Sequence, residues 1–377
     1  MRMKKRVLII YATYGSGHKM VANYINDYFR LKGNHDVYLM NIMDYANYFG
    51  EISEELFNIN IRYRCSNIFT FLYEVFNNKI TTMPYLSVFK GLFHVKGLLN
   101  EIEGICPDVI IATHFFGVTI AGIAKKKSII NSKIGCVLTD YCSHELWEKN
   151  KNDVDFYIVA NNKVKSELVK QGIVKNKIHA YGIPVSYEFN KHPDLKYIKG
   201  KYTIDNGKKT ILFFAGGSLG SNSAFCFLKT LLSKRFDINI IFVSGKNTFL
   251  EKKCLNYVKN NAYENVTILG FTQNVNELLS ACDIVVTKPG GISITECLKK
   301  KKKMILIPGN GGQEIFNARF VCNNNLGVFA KSAHELCTYV ESYILGKYDY
   351  LDENIVKIND NKAVSKIYKL VLEELEV

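Results

Sequence analysis

The amino-acid sequence predicts an α/β protein made of two Rossmann-like, doubly wound domains facing a central cleft. Three observations carry that expectation. Short runs rich in valine and isoleucine alternate with longer amphipathic stretches, as in a parallel sheet covered on both faces. The alternation breaks off after Gly182-Ile183-Pro184 and starts again at Thr210. A glycine-rich turn follows the first strand of each half, and at 377 residues and 47% hydrophobic the chain can fill two ordinary cores.

In the first half the strands are expected at Arg6 to Ala12, Asp36 to Met40, Asp108 to Thr113, Ile134 to Thr139 and Asp155 to Ala160. The basic start, Met1 to Arg6, precedes an apolar run too short for a secretory leader, so the run reads as the first strand. Val109 to Ala124 is nearly apolar but falls short of the roughly 20 residues that cross a bilayer, and is better split into strand and helix. In the second half the strands are Thr210 to Ala215, Ile238 to Ser244, Asn265 to Leu269, Asp283 to Thr287 and Lys303 to Ile307. The polar segment Ser186 to Lys209 lacks sustained periodicity and reads as the connection. Domains are thus placed at 1–200 and 201–359, with a C-terminal helix at 360–377 able to pack back on the first.

Lysine and arginine outnumber aspartate and glutamate 49 to 35, a net charge of +14, which draws the chain toward polyanions: phospholipid surfaces, nucleic acids or nucleotide phosphates. No nucleic-acid recognition motif accompanies the charge, so nucleic acid is not an expected partner. Ten cysteines run from Cys65 to Cys337 without a C-x-x-C pair, which suggests neither a disulfide framework nor a zinc knuckle and fits a reducing cytoplasm. Asp153 and Asp155, a lone D-x-D, lead into a strand, and Lys299 to Lys303 reads as a solvated helix end.

The glycine turns carry the chemistry. Tyr14-Gly15-Ser16-Gly17-His18-Lys19 joins the first strand to an amphipathic helix, so backbone N–H groups and the positive end of the helix can approach an anion. Met20 breaks the dinucleotide fingerprint and no G-K-[ST] follows, so neither NAD nor ATP is indicated. His18 can be a general base, an anion ligand or a capping side chain. The second half opens with a similar turn, Gly216-Gly217-Ser218-Leu219-Gly220. Asp283 to Glu296 then reads as strand, turn Lys288-Pro289-Gly290-Gly291 and helix, with free amides for a diphosphate; Glu296 either accepts ribose hydroxyls or complements the helix dipole. Gly309-Asn310-Gly311-Gly312-Gln313-Glu314 with Asn317 suits a polyhydroxylated ligand such as a sugar.

Taken together these residues resemble the monogalactosyldiacylglycerol synthase and processive diacylglycerol glucosyltransferase family, a branch of glycosyltransferase family 28 with the GT-B fold. The resemblance spans almost the whole chain. Its anchors are Gly15 to His18, Leu138-Thr139-Asp140-Tyr141-Cys142-Ser143-His144-Glu145-Leu146-Trp147, Val159 to Asn161, Tyr181 to Pro184, Gly216 to Gly220, Thr287 to Gly291, and Gln313 and Glu314 with Asn317.

The resemblance implies an inverting transferase that moves a hexose from a UDP-sugar to diacylglycerol. It puts Gly216, Gly217, Ser218, Gly220, Lys288, Gly290 and Gly291 at the diphosphate, Glu296 at the ribose and Phe271 near the uracil. Gln313, Glu314 and Asn317 face the hexose, His18 and Asp140 are the candidate bases, and Gly15, Gly17, His144 and Trp147 lie on the acceptor side. No metal or other cofactor is expected, since two helix starts and Lys288 can meet the charge of departing UDP. The loop departs from the commoner family form at Asn310-Gly311-Gly312 and at Ile315-Phe316, which leaves the hexose open.

Residues 56–100 hold one acidic residue, Glu74, against Arg62, Arg64, Lys79, Lys90 and Lys96, with nine phenylalanines or tyrosines. That mixture suits anionic lipid headgroups, so the expected location is cytoplasmic, peripherally bound to the inner membrane face. The rival readings are transfer to a polyprenyl-linked acceptor, a UDP-sugar epimerase, and a nucleotide-sugar-binding regulator.

Overall fold

The hydrophobic runs of the first half become a parallel sheet. In the computed structural model, which describes residues 4–52, 85–216, 220–309, 311–358 and 362–376, the strands are β1 (Lys5–Tyr11), β2 (His35–Asn41), β3 (Val109–Ala112), β4 (Lys133–Val137), β5 (Phe156–Ile158) and β6 (Ile178–His179). They lie in the order β2-β1-β3-β4-β5-β6, every pairing parallel. Val7, Leu8, Ile9 and Ile10 are wholly buried, as a central strand covered on both faces requires.

The covering helices of this unit are α1 (Ser16–Lys32), α2 (Tyr85–Leu92), α3 (Val95–Ile105), α4 (Phe115–Lys126) and α5 (Asn162–Lys170). Helix α1 buries Val21, Ala22, Ile25, Tyr28 and Phe29 along one stripe. It stops at Gly33, whose φ of 71° lets its N–H reach back to Arg30 and Phe29 carbonyls. The nearly apolar stretch from Val109 is split as expected, into β3 and α4.

The second unit repeats the plan. Strands β7 (Lys209–Phe214), β8 (Ile238–Val243), β9 (Val266–Leu269), β10 (Ile284–Thr287), β11 (Lys303–Leu306) and β12 (Gly327–Phe329) form a second sheet, order β12-β11-β10-β7-β8-β9, again parallel throughout. Its helices are α6 (Leu195–Lys201), α7 (Ser221–Ser233), α8 (Thr248–Asn260), α9 (Val275–Ala281), α10 (Gly291–Lys299), α11 (Gln313–Asn323), α12 (Ala333–Ile344) and α13 (Leu351–Ile358). The last helix, α14 (Ala363–Glu376), belongs to the first unit: the Tyr368 ring meets Phe29 edge-on at 5.0 Å, Asn34 donates to its hydroxyl at 2.9 Å, and Glu374 pairs with Lys133 at 3.2 Å.

Both sheets reverse their winding direction once. In the first, β1 is followed by β2 on one side and β3 on the other; in the second, β7 is followed by β8 on one side and, after β9, by β10 on the other. Such reversals open a crevice at the strands' carboxyl ends, where open α/β sheets bind ligands.

The structure departs from the sequence reading in four places. The units divide between Tyr187 and Glu188 rather than near 200. The segment read as a connection without sustained periodicity contains α6, because Asp194 caps its first amides, Ile198 is buried, and Lys201 pairs with Glu277 of α9 at 2.8 Å. The run Lys299 to Lys303 is solvated only in part: Lys302 donates to the Cys282 carbonyl at 2.7 Å, and Lys303, its side chain 14% exposed, pairs with Asp349 and Asp352 at 2.6 and 3.0 Å. Strands β6 and β12, two and three residues long, are too short to leave a periodicity. Asp153 and Asp155 do precede a strand, paired with Lys126 at 2.7 Å and Lys125 at 3.1 Å. Of the basic aromatic segment 56–100, residues 56–84 lie outside the described residues.

Candidate functional site

In the first unit the winding reversal falls between β1 and β3, and the side chains gathered at their carboxyl ends are His18, Thr113, His114 and Thr139. The chain leaves β1 through Gly15, whose φ of 85° suits glycine, and enters α1 with no side chain capping its start. This sets Gly15, Gly17 and His18 on the opening turn. The His18 Nδ1 lies 2.6 Å from the Thr113 carbonyl oxygen, which can only accept, so Nδ1 carries the proton and donates it. The same N–H faces Thr139 Oγ1 at 3.3 Å. Thr113 answers with its hydroxyl, donating to the His18 carbonyl at 3.0 Å.

In the neutral ring the lone pair therefore sits on Nε2. The ring stays neutral because burial lowers its pKa to about 4, the bond to Thr113 opposing only in part. His114, 4% exposed, stands edge-on to His18 with ring centroids 4.7 Å apart. It is held well below the usual histidine range by burial, then by His18 and His144. Its tautomer is the opposite one: its Nδ1 accepts the Phe116 N–H as the cap of α4, which leaves the proton on Nε2. His144 does likewise for Leu146 and stacks on Phe115 at 6.4 Å.

The other residues expected here fall into two groups. Asp140 follows directly on Thr139 past the end of β4 and is half-buried. Trp147, 7% exposed, lies in the core against the edge of Phe115 at 6.0 Å, so it backs the wall rather than facing open space. Thr113, His114 and Thr139 were not singled out from the sequence as site residues. The available signal was their place immediately after a buried strand, where the ladder stops and side chains turn toward a ligand.

In the second unit the turns after β7 and β10 flank the corresponding reversal. Gly216 lies against Gly245, whose φ is 64°; a Cβ built on either would stand 3.4 or 3.1 Å from the other's Cα. Gly217, Ser218 and Asn310 lie outside the described residues. Lys288 pairs with Glu314 at 2.5 Å, and Asn317, wholly buried, donates to the Pro289 carbonyl at 3.1 Å. Helix α11 thus braces the Lys288-Pro289 turn from behind. Asn317, expected at the hexose, has no accessible surface and holds the turn instead.

Gln313 is half-buried at the start of α11, and Glu296 is buried at 5% exposure on α10, where Thr295 donates to the Gly291 carbonyl at 2.7 Å. Phe271 is 62% exposed, with the Lys246 ammonium 5.6 Å from its ring centre.

One pattern unites both sites. Helices α1, α7, α10 and α11 each begin at a glycine, Gly15, Gly220, Gly290 and Gly312, with no side-chain cap. By contrast α4, α5, α6, α8 and α12 are capped by His114, Asn161, Asp194, Asn247 and Ser332. Helices α3 and α9 also lack a side-chain cap but begin after His94 and Asn274. An uncapped start behind a glycine leaves amide donors with room for an anion.

Comparison with known proteins agrees with this division. Residues 18–185 match the family model described as monogalactosyldiacylglycerol (MGDG) synthase, and residues 211–364 match the glycosyltransferase family 28 C-terminal domain. A protein of Bacillus cereus (strain G9842) named processive diacylglycerol beta-glucosyltransferase is 30% identical over 371 residues, 96% of this chain and 90% of the relative. Among solved structures, S. aureus MnaA with UDP superposes with a TM-score of 0.65 at 12% identity over 99% of this chain and 97% of that one. Anabaena HepE in complex with UDP-glucose does so at 0.57 and 14% over 98% and 99%. At such identities the structural likeness speaks for the fold.

Proposed function

Because the chain belongs to the monogalactosyldiacylglycerol synthase family, with the family 28 glycosyltransferase C-terminal domain and the GT-B architecture, we propose that it transfers a hexose from a UDP-sugar to diacylglycerol with inversion at the anomeric carbon. The names of its relatives make UDP-glucose the first donor to try; inversion of that α-linked donor yields a β-glucoside.

The observation that carries the mechanism is the His18 to Thr113 bond, which leaves Nε2 with a lone pair at the switch point of the first sheet. The acceptor hydroxyl oxygen attacks the sugar's C1 while the bond from C1 to the UDP oxygen breaks. The hydroxyl proton passes to Nε2 of His18, and UDP leaves with the bonding pair. His18 is favoured over Asp140 as base, because its tautomer is fixed. A weakly basic imidazole gains basicity as negative charge gathers on the leaving UDP, which links proton transfer to bond breaking.

On the donor side the uncapped starts of α7 and α10, with Lys288, meet the diphosphate charge, so the reading asks for no metal. Glu296 takes the ribose hydroxyls, Phe271 lies by the uracil, and Gln313 and Glu314 reach the hexose. On the acceptor side His144 and Phe115 form the wall. The lipid acceptor implies work at a membrane face, and this reading makes that contact peripheral, helped by anionic lipids attracted to a chain of net charge +14; no helix among the described residues is long and apolar enough to cross a membrane.

The test is incubation with vesicles containing diacylglycerol and one radiolabelled UDP-sugar per reaction, followed by organic extraction. Label in glycolipid from one donor, lost in His18→Ala with UDP binding retained, is the expected result. UDP binding with no lipid label from any donor would move the assignment to another acceptor.

A further inference from the structure

After β2 the chain makes a 3-10 turn at Ile42–Tyr45 and then presents Tyr48 and Phe49 to solvent, 71% and 68% exposed, their rings edge-on at 6.0 Å. Two adjacent aromatics so exposed lose hydrophobic free energy unless something covers them. Their backbone is firmly held. Asn47 donates through its amide N–H to Leu92 at 2.9 Å and through its side chain to Gly91 at 2.7 Å. Its side-chain oxygen accepts the N–H groups of Phe49 and Gly50, both at 3.1 Å, and His94 donates to the Tyr45 carbonyl at 2.8 Å.

This turn is tied to the reaction centre through a column of rings. Phe93, next to Leu92, packs on Phe116 at 5.2 Å, Phe116 on His114 at 4.9 Å, and His114 on His18 at 4.7 Å. The aromatic pair and His18 thus stand on the same carboxyl edge of the first sheet, joined by buried packing.

We propose that Tyr48 and Phe49 are interfacial anchors that seat the first unit on a lipid bilayer, their rings entering the headgroup region. The inference rests on the diacylglycerol reading above: an acceptor with two acyl chains is not free in water, so the unit bearing His18 must meet the membrane that holds it. Phenylalanine and tyrosine together suit that boundary, one ring wholly apolar, the other with a hydroxyl left for water. Among the described residues nearby, exposed Lys90 and Lys96 on α2 and α3 are matched by exposed Asp44 and Glu51. The anchor is therefore hydrophobic, with the chain's overall +14 supplying longer-range attraction.

The experiment compares the full chain with Tyr48→Ser/Phe49→Ser and Phe49→Trp on vesicles of phosphatidylcholine, phosphatidylglycerol and diacylglycerol. Sedimentation without any donor reads binding alone. The double variant is expected to partition at least about tenfold more weakly and to keep its thermal melt and its kcat on a water-dispersed short-chain diacylglycerol. In Phe49→Trp, brominated lipid should quench the added fluorescence, since the native Trp147 is buried. Unchanged partition of the double variant, an unquenched tryptophan, or a wild type that ignores vesicles would each overturn the proposal. So would loss of a dimer with vesicle binding intact, which would assign the pair to a second copy. A wild type that binds vesicles through this pair yet glycosylates no acceptor would sink the reaction and leave the anchor standing.

Discussion

His18 and Thr113 clamp each other: the imidazole Nδ1 donates to the threonine carbonyl at 2.6 Å while the threonine hydroxyl donates to the histidine carbonyl at 3.0 Å. An imidazole so held is fixed in one tautomer and one orientation, as the proposed role of base requires. His18→Ala is expected to lower kcat by about 10²–10⁴ with UDP affinity unchanged. Thr113→Val keeps the carbonyl and the shape but loses the return bond, which at about 1 kcal/mol is roughly fivefold in kcat. Isothermal titration with UDP beside steady-state rates separates the two effects. A His18→Ala enzyme near full activity would return the base assignment to Asp140.

Acid lability follows from the same ring. The folded pKa of His18, about 4, lies below the ordinary 6.5, so between these values the unfolded chain takes up a proton that the folded one refuses. The contribution of His18 to stability is therefore full above pH 6.5, falls as pH drops toward 4, and is lost below it. The loss from His18 is no more than about 3 kcal/mol. Urea melts at pH 7.5, 5.5 and 4.5 should converge for wild type and His18→Gln as pH falls. Burial also lowers His35, His114 and His179, so some acid lability persists in the variant. Stability curves that stay parallel would contradict a neutral, buried His18.

The limits of sequence reading show in the same residues. Strand cores such as Val7 to Ile10 are visible because both faces are buried and the run is uninterrupted. The ends are not: the run Asp108 to Thr113 reads as strand to its last residue, yet the strand ends at Ala112; the Thr113 N–H still donates to Ile10 at 3.0 Å while its carbonyl accepts from His18. Glycine turns announce a ligand but not what braces them; that Asn317 supports Pro289 from a buried position depends on α11 packing against α10 and β12, a tertiary fact without local trace. Helix α6 escaped notice because it is short and buries only Ile198, though Asp194 before it was a readable cap.

The donor side offers a test of the Lys288 to Glu314 pair. A Cβ at Gly309 would overlap the Glu314 carboxylate and press on Pro289. Glu314 can swing away only by releasing Lys288, to which it is bound at 2.5 Å. Gly309→Ala is therefore expected to raise the donor KM about tenfold, leaving kcat and the melting temperature less affected. Gly309→Ala in a Glu314→Gln background should add little, because the coupling runs through that carboxylate. Full additivity in the cycle would show that the loop is disturbed by another route.

Gly290 separates a glycine kept for the fold from one kept for a ligand. Its φ and ψ, −74° and 136°, are open to any residue, and a Cβ there would meet nothing closer than Ser293 Oγ at 3.8 Å. The folded chain thus has no need of glycine at this helix start, whereas a diphosphate lying on the amides of α10 needs the space a methyl group would fill. Gly290→Ala is expected to melt at the wild-type temperature or slightly above it, since alanine restricts the unfolded chain, while UDP affinity falls about tenfold or more. Calorimetric titration with UDP decides it: unchanged affinity in a normally folded variant would place the diphosphate away from this turn, and the donor site would have to be sought at the starts of α7 and α11 instead.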